Sequence, residues 1–123
     1  MGFCFKYFST PMAWEDARSF CQDSSPHSGG GGDLASVPDD DTNNFLFTII
    51  QNADVWIGGY RNENQDWVWS DGTPWEYESW HEDQPNNLGG MQTHVAFNFN
   101  SSAHWYDECK DEEKGFICYH KGM

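Results

Sequence analysis

Seven tryptophans in a chain of 123 residues constrain the fold more than any other feature of this sequence. With phenylalanine and tyrosine they bring the aromatic share of the chain to 17%. Rings of this size must fill much of the interior, where a helical bundle would use aliphatic layers. A chain of this length also suits a single hydrophobic core. We therefore expect one domain with a largely aromatic core, and not a helical bundle.

The charge balance excludes two classes of partner. Six Lys and Arg against twenty Asp and Glu give a formal net charge of -14. Nucleic-acid binding depends on cationic contacts to phosphate, so we predict neither nucleic acid nor anionic membranes as partners. The remaining partners are metal cations, basic proteins, mineral surfaces and neutral ligands such as sugars. Much of the acidity is also what the solubility of a secreted protein requires.

Several features indicate an extracellular protein. No apolar run approaches the roughly 20 residues of a membrane span, so none is predicted. The start, Met1-Gly2-Phe3-Cys4, lacks the basic and apolar regions of a signal peptide and suggests a mature or trimmed chain. The four cysteines are too widely spaced for a zinc ribbon and favour disulfides in an oxidising compartment. The sequon Asn100-Ser101-Ser102 agrees with secretion.

Two helices are predicted in the first half of the chain. Thr10-Pro11 offers an N-cap followed by proline at the first helical position, which predicts a helix from about Pro11 to Gln22 with Cys21 facing the core. The triplet Asp39-Asp40-Asp41 precedes a second amphipathic segment. Acidic residues favour the positive end of a helix dipole, so we interpret the triplet as a helix start and not as a metal site. The glycine-rich segment 23–32 is predicted to be a mobile loop.

The second half of the chain has the pattern of short strands. The predicted strands are 55–57, 67–69, 94–99, 103–106 and 115–119. Between them, about twenty residues from Gly72 to Gln92 show no periodicity, and a loop of that length in a compact domain is usually functional. Trp75 and Trp80 within it indicate an ordered loop. Helices followed by antiparallel strands give an α+β fold.

Several motifs in a fixed order carry a family resemblance. They are Trp14-Glu15-Asp16-Ala17 before Cys21, Leu34-Ala35-Ser36-Val37, Val55-Trp56-Ile57-Gly58-Gly59, Trp69-Ser70-Asp71-Gly72-Thr73-Pro74, Trp80, Gln84-Pro85-Asn86, Trp105-Tyr106-Asp107-Glu108-Cys109 and Gly115-Phe116-Ile117-Cys118. In this order and spacing the chain resembles the C-type lectin-like domain over residues 4–119, as one domain. The match is specific because independent motifs agree.

The resemblance implies a double-loop α+β fold with two helices, a small antiparallel sheet and a long ligand loop. It implies a disulfide from Cys21 in the first helix to Cys118 in the last strand. It also assigns Trp56-Ile57-Gly58 to the core, and it makes the tryptophans at 14, 56, 69, 80 and 105 packing residues, not a sugar-stacking platform.

The resemblance places a ligand site around Gln84-Pro85-Asn86. In sugar-binding members a calcium ion lies in this loop beside a proline that is usually cis, and two sugar hydroxyls complete its coordination. Calcium accepts six to eight oxygens in a loose geometry, so hydroxyls can replace water. The metal ligands implied here are Gln84, Asn86 and Asp107, and Gln92 joins them as a carbohydrate-binding position.

This sequence departs from the family pattern in the charge of that site. Glu-Pro-Asn usually accompanies mannose-type sugars and Gln-Pro-Asp galactose-type sugars, whereas Gln84-Pro85-Asn86 is an uncharged hybrid. Gln92 stands where the family has Glu, and Trp105-Tyr106-Asp107 replaces Trp-Asn-Asp, so Asp107 is the remaining carboxylate. Calcium affinity falls with ligand charge, so the expected site is weak, with Glu82, Asp83 or Glu108 as compensating ligands in a rearranged loop.

The cysteine pattern also departs from that of the family. His94 occupies the position of the usual partner of Cys109, and Cys4 resembles a hairpin cysteine whose partner would lie upstream. A bridge between Cys4 and Cys109 is not expected. An alternative metal site would use His94 and Cys109 as zinc ligands, with His104 or His81 as a third. A free or intermolecularly paired Cys109 is the simpler interpretation.

Two functions follow from the resemblance. The first is a secreted carbohydrate-binding lectin for microbial or host glycans, as in innate immunity, which acts through the long loop. The second is a metal-independent module that binds a protein ligand, and a mineral or ice binder ranks below both. No enzymatic activity is predicted, because the family alignment places no base beside a Ser or Cys nucleophile. Glu112-Glu113 are interpreted as a solvated turn, and no role is assigned to His27 or His120.

Overall fold

The computed structural model describes residues 3–23, 32–50, 52–82, 84–85, 90–98 and 102–121, with the backbone alone for residues 3, 4 and 121. Within these residues the chain forms two helices and seven strands. In chain order they are β1 (Phe3–Met12), α1 (Trp14–Asp23), β2 (Asp33–Leu34), α2 (Asp40–Ile49), β3 (Val55–Arg61), β4 (Trp67–Trp69), β5 (His94–Phe97), β6 (Trp105–Glu108) and β7 (Lys114–Lys121).

The strands form one sheet in the order β1-β7-β3-β5-β6, with β2 paired to β7 and β4 paired to β3. The α+β class predicted from the sequence is confirmed, although the sheet is mixed and not purely antiparallel. The exception is the pair β3 and β7, which run parallel with Val55 opposite Gly115. The last strand, β7, lies between β1, to which it runs antiparallel, and β3.

The disulfide between Cys21 and Cys118 is present as predicted. It joins α1 to β7 across a sequence separation of 97, and the two Cα atoms lie 5.2 Å apart. Both cysteines are fully buried. Trp14 and Ala17 are buried on the same face of α1 as Cys21, as the helical spacing predicts. The helix is thereby held against the sheet by packing and by a covalent bond.

The predicted start of the first helix is wrong. Thr10 and Pro11 lie in β1, which continues to Met12, and α1 begins at Trp14. The pairing of β1 with β7 is irregular between Phe8 and Met12, and a bulge is a place where proline costs no ladder hydrogen bond. Sheet pairing therefore overrides the local capping signal. The carbonyl of Ala13 accepts the first helical hydrogen bond, from the amide of Ala17.

The second helix begins as predicted. Asp39 is its N-cap, and its side chain accepts a hydrogen bond from the backbone amide of Thr42. Asp40 and Asp41 lie in the first turn, near the positive end of the helix dipole. The acidic triplet is therefore a helix start.

Four of the five predicted strands differ in their bounds, and β4 matches the prediction. β3 extends beyond residue 57 to Arg61, and β7 runs from Lys114 to Lys121 instead of 115–119. β5 ends at Phe97, because Asn98 has a φ of 89° and turns the chain out of the strand. β6 begins at Trp105, two residues later than expected, and it extends to Glu108. The glycine-rich stretch, residues 24–31, lies outside the described residues.

The tryptophan side chains fill the core as predicted. Trp14, Trp56 and Trp105 are at most 1% exposed, and Trp69 is 3% exposed. Two adjoining clusters of buried residues include them, one centred on Trp69 and Trp105 and the other on Trp14 and Trp56. In the described part of the chain, neither helix has the length and apolar composition of a membrane-crossing helix.

Candidate functional site

The first half of the long loop is held by stacked tryptophans. Trp75 stacks on Trp69 with ring centroids 4.5 Å apart, and Trp80 contacts Trp67 at 4.9 Å. Both loop residues also meet the edge or face of Trp105, at 5.7 and 5.6 Å. Aromatic pairs in these geometries stabilise beyond the area they bury. The loop is therefore ordered over this stretch, as its tryptophans predicted.

Helix α2 anchors the same part of the loop through hydrogen bonds. Asn43, which is 2% exposed, accepts from Trp105 Nε1 at 2.8 Å and donates to the carbonyl of Ala103 at 2.7 Å. The Tyr77 hydroxyl donates to Asp40 Oδ1 at 2.8 Å. One helix thus fixes both the base of the loop and the start of β6.

Replacing Asn43 by alanine is expected to lower the free energy of unfolding by about 2 kcal/mol, because the indole N–H of Trp105 loses its buried acceptor. Ala103 keeps a second donor in the Ser79 hydroxyl, at 3.1 Å. Urea denaturation measures the change. Asn44→Ala, on the exposed side of the same helix, is the control and should differ from the wild type by less than about 0.5 kcal/mol. Equal losses in both variants would contradict the anchoring role.

The loop continues from this anchor to the predicted ligand residues. The amide of His81 donates to the carbonyl of Trp105, and the amide of Gln84 donates to the carbonyl of His81, both at 2.9 Å. The Gln84-Pro85 peptide bond is cis, as the resemblance implies. Gln84 Oε1 then accepts a hydrogen bond from the backbone amide of Asp107 at 3.4 Å. These bonds place Gln84 against β6.

Of the four predicted site residues, the structure brings Gln84 and Asp107 together. Asp107 is 1% exposed and lies opposite Val95 in the β5–β6 pair. Gln92 is half-buried in the segment that leads into β5. Asn86 lies outside the described residues, as does Asp83, one of the compensating ligands considered above. Glu82 is exposed, whereas Glu108 forms an ion pair with Lys114 at 3.3 Å.

The described donors do not amount to the charged calcium site of the sugar-binding relatives. Gln84 and Gln92 are neutral, and Asp107 is the carboxylate residue in contact with Gln84. Among the described residues no group of three His, Cys, Asp or Glu side chains could hold a metal ion. Carbonyl oxygens of amides bind calcium, but each contributes less than a carboxylate. A weak site is what this donor set fits.

The alternative zinc ligands are not assembled as expected. His94 lies opposite Glu108 in the strand pairing and not opposite Cys109. Its imidazole packs 4.5 Å from the Trp14 ring and bonds the Thr93 hydroxyl at 2.9 Å. The rings of His81 and His104 contact each other, with centroids 5.9 Å apart. They lie at the opposite end of the β5–β6 pair, where the amide of Asn98 donates a hydrogen bond to the carbonyl of His104. Of the cysteines whose side chains are described, Cys109 is the free one.

Burial controls the protonation of His94. The imidazole is 7% exposed, and this burial lowers its pKa to about 4, with the nearby charge of Lys110 acting in the same direction. The ring is therefore neutral at physiological pH. Its role in the described structure is to pack against Trp14 and Tyr60 in the core.

Two of the surface concavities in the described part of the chain lie away from the predicted site and were not predicted from the sequence. One, of about 390 Å³, follows the turn after β3 and is lined by residues 60–64. The other, of about 250 Å³, lies between α2, β1 and β7. No local sequence signal marks the second concavity, although Phe45 and Phe47 lie two residues apart on α2 and hence on different faces, so that one buried face cannot hold both. Both are exposed in the structure.

Comparison with known proteins agrees with this architecture. Residues 10–120 match the model of the lectin C-type domain family. A lectin from Pleurodeles waltl is 36% identical over 122 residues, which cover 93% of this chain and 67% of that protein. The matches to ladderlectin from Oncorhynchus mykiss and lithostathine from Rattus norvegicus cover 55% and 73% of those proteins.

Solved structures give the same result. The C-type lectin CEL-I from Cucumaria echinata superposes with a TM-score of 0.86 at 26% identity, over 97% of this chain and 91% of that one. A calcium-independent type II antifreeze protein superposes with a TM-score of 0.87 at 26% identity, over 100% and 90%. This chain belongs to the C-type lectin domain family. None of these relatives is named as an enzyme.

Proposed function

We propose that this chain is a secreted carbohydrate-binding lectin that recognises glycans through its long loop, at Gln84, Asn86, Gln92 and Asp107. The observation that carries the proposal is the contact between Gln84 Oε1 and the amide of Asp107 at 3.4 Å. It joins the long loop to strand β6 at the position where the family resemblance implies a ligand site. Membership of a lectin family and the oxidised Cys21–Cys118 pair support an extracellular sugar binder.

The chemistry of these side chains suits sugar hydroxyls. An amide offers one acceptor and two donor hydrogens, so Gln84 and Gln92 can each satisfy a hydroxyl that both donates and accepts. Asp107 accepts hydrogen bonds and supplies the negative charge of the site. The tryptophan cluster beneath the loop restricts its motion, which reduces the entropy lost when a ligand binds.

Calcium belongs to the proposal as a weak ligand. Where it binds, it supplies coordination positions for sugar hydroxyls. Gln84, Asn86 and Asp107 would hold it, with one carboxylate among them. Extracellular modules of low ligand charge bind calcium with dissociation constants of about 0.1 to 1 mM, and we expect this site at or above that range.

A glycan array tests sugar binding. The wild-type chain is expected to bind a subset of neutral glycans in the presence of calcium, more weakly when a chelator is added. Gln84→Ala should reduce the signal about tenfold or more, because it removes a hydrogen-bonding group that the sugar needs. Gln22→Ala, at an exposed position on α1, is the matched control and should leave the array pattern unchanged. An empty array both with and without chelator would refute the proposal.

Thermal melting tests the calcium contribution. A ligand that binds only the native state raises its melting temperature, so millimolar calcium should stabilise the wild type and not Asp107→Asn, which lacks the carboxylate. Asp111→Asn, an exposed carboxylate in the turn after β6, should respond like the wild type. A calcium shift of equal size in Asp107→Asn would place the metal elsewhere.

The second candidate function is a calcium-independent module that binds a protein ligand. The neutral donor set around Gln84 favours it, and one of the structural relatives is named as calcium-independent. Two results together would support the second candidate. The glycan array would be empty, and the Gln84→Ala variant would still bind a protein partner in the presence of chelator.

A further inference from the structure

A groove of about 250 Å³ lies on the side of the molecule formed by β1, β7 and the start of α2. We call it the α2 groove; it is lined by Phe5, Ser36, Pro38, Thr42, Thr73 and Tyr119. It contains none of the residues assigned to the sugar site. Any function of this surface is therefore separate from the proposed lectin activity.

Aromatic rings form one wall of the α2 groove. Phe5 lies 5.6 Å from Tyr119 and 6.1 Å from Phe45, measured between ring centroids. Phe45 is 51% exposed, although it is a large apolar side chain in the middle of a helix. Phe5 and Tyr119 are only half-buried. The three rings form a continuous apolar surface that the described part of the chain does not cover.

Two carboxylates contact residues that line the groove. Asp39 accepts a hydrogen bond from the amide of Thr42 at 2.8 Å, and Asp71 accepts one from the Ser36 hydroxyl at 2.9 Å. Thr42 and Ser36, which both line the groove, are therefore hydrogen-bonded to acidic side chains. Asp71 also contributes to raising the pKa of Tyr119, where burial is the larger cause. Asp41 is exposed in the first turn of α2, two residues after the Asp39 cap.

The described Lys and Arg side chains contact groups other than Asp39, Asp41 and Asp71, which we call the acidic rim. Three of them form ion pairs with other carboxylates: Arg18 with Asp33, Lys110 with Asp111 and Lys114 with Glu108. Arg61 stacks on Trp67 and Lys6 on Phe8. The rim therefore keeps its negative charge within the described structure.

The charge also selects the kind of partner. Two copies of this chain, each with a net charge of -14, would bring like-charged rims together in a symmetric contact. A cationic partner meets attraction instead, and an apolar side chain of that partner would cover the exposed rings. Complementarity therefore favours a basic protein segment over a second copy.

We propose that the α2 groove binds a cationic peptide segment of another protein, with an apolar side chain against Phe5, Phe45 and Tyr119 and with Lys or Arg at Asp39, Asp41 and Asp71. The aromatic wall supplies the apolar contact. The acidic rim supplies attraction that falls as salt rises. Of the long loop, Thr73 lines the groove, whereas Gln84 and Asp107 do not, so a glycan and the peptide bind together.

A fluorescently labelled, capped pentapeptide with one leucine between pairs of lysines tests this proposal by anisotropy. Phe45→Ser should weaken binding about fivefold, because the exposed ring no longer covers the leucine. Asp39→Asn/Asp41→Asn should weaken it by a similar factor at low salt, since asparagine still caps α2 while two charges are lost. Gln84→Ala should bind the peptide like the wild type, which separates this result from any failure of the lectin proposal.

Matched variants control for non-specific effects. Phe47→Ser removes the other exposed phenylalanine of α2, and Glu112→Gln/Glu113→Gln removes two charges at an exposed turn after β6. Both should retain wild-type affinity. Equal weakening in target and control variants, no loss when the leucine of the peptide is replaced by serine, or no binding at low salt would each overturn the proposal. So would self-association that Phe45→Ser abolishes, because the occupant would then be a second copy.

Discussion

Replacing Cys21 and Cys118 together by alanine is expected to lower the free energy of unfolding by about 4 to 5 kcal/mol. The bridge closes a loop with a sequence separation of 97, so its loss greatly increases the conformational entropy of the unfolded chain. Both side chains are fully buried, so the substitutions also leave small cavities between α1 and β7. Urea denaturation at neutral pH measures the change, and a large fraction of the variant is expected to be unfolded near body temperature.

Cys109→Ala is the control for this experiment. It removes a half-buried thiol that forms no disulfide, and it should alter the free energy of unfolding by less than about 1 kcal/mol. A loss of less than about 1 kcal/mol in the double variant would show that the bridge contributes little to holding the first helix on the last strand.

Acidification from pH 6.5 to pH 4 is expected to lower the free energy of unfolding by about 3 kcal/mol through His94 alone. The folded chain holds the pKa of His94 at about 4, mainly because the imidazole is buried. The unfolded chain has the ordinary value near 6.5. Between these values the unfolded state binds a proton that the folded state does not, so stability falls as pH falls.

Comparison of pH profiles isolates this effect, since carboxylates titrate in the same range. His94→Gln should have a shallower fall in stability than the wild type between pH 6.5 and pH 4, whatever its absolute stability. His104→Gln, at an exposed position, should keep the wild-type slope. Parallel profiles for the wild type and His94→Gln would mean that the imidazole is protonated in the folded protein.

Features that depend on local sequence were predictable. The spacing of Trp14, Ala17 and Cys21 predicted the buried face of α1, and Asp39 predicted the start of α2. The tryptophans of the long loop predicted order in its first half, where Trp75 and Trp80 pack on Trp69 and Trp67. The family motifs predicted the Cys21–Cys118 bridge, which no spacing rule selects from the four cysteines.

Features that depend on distant pairing were not predictable. Thr10-Pro11 has the local signal of a helix start, but β7, more than a hundred residues away, holds the segment in a strand. The same pairing brings Phe5 beside Tyr119 and creates the α2 groove, which no local pattern contains. His94 was expected to face Cys109, yet the β5–β6 register places it opposite Glu108, one residue earlier. A shift of one residue in register changes which side chains meet.

The site itself was predictable only in part. Gln84 and Asp107, two of the four predicted ligand residues, are in contact, whereas Asn86 lies outside the described residues, and the ligand role of these residues stays a prediction. Binding also depends on the number of charged donors around that contact, which the sequence lowers relative to the sugar-binding members. Metal affinity and sugar affinity therefore have to be measured together.

The central claim is that sugars bind at the Gln84–Asp107 end of the long loop. The most direct test follows backbone amide signals by heteronuclear NMR as methyl mannoside or methyl galactoside is added in millimolar calcium. The proposed site predicts saturable shifts concentrated at Gln84, Gln92 and Asp107, with those of residues 60–64 and of the α2 groove unchanged. Saturable shifts at either of those two concavities, or no shifts with either sugar, would contradict it.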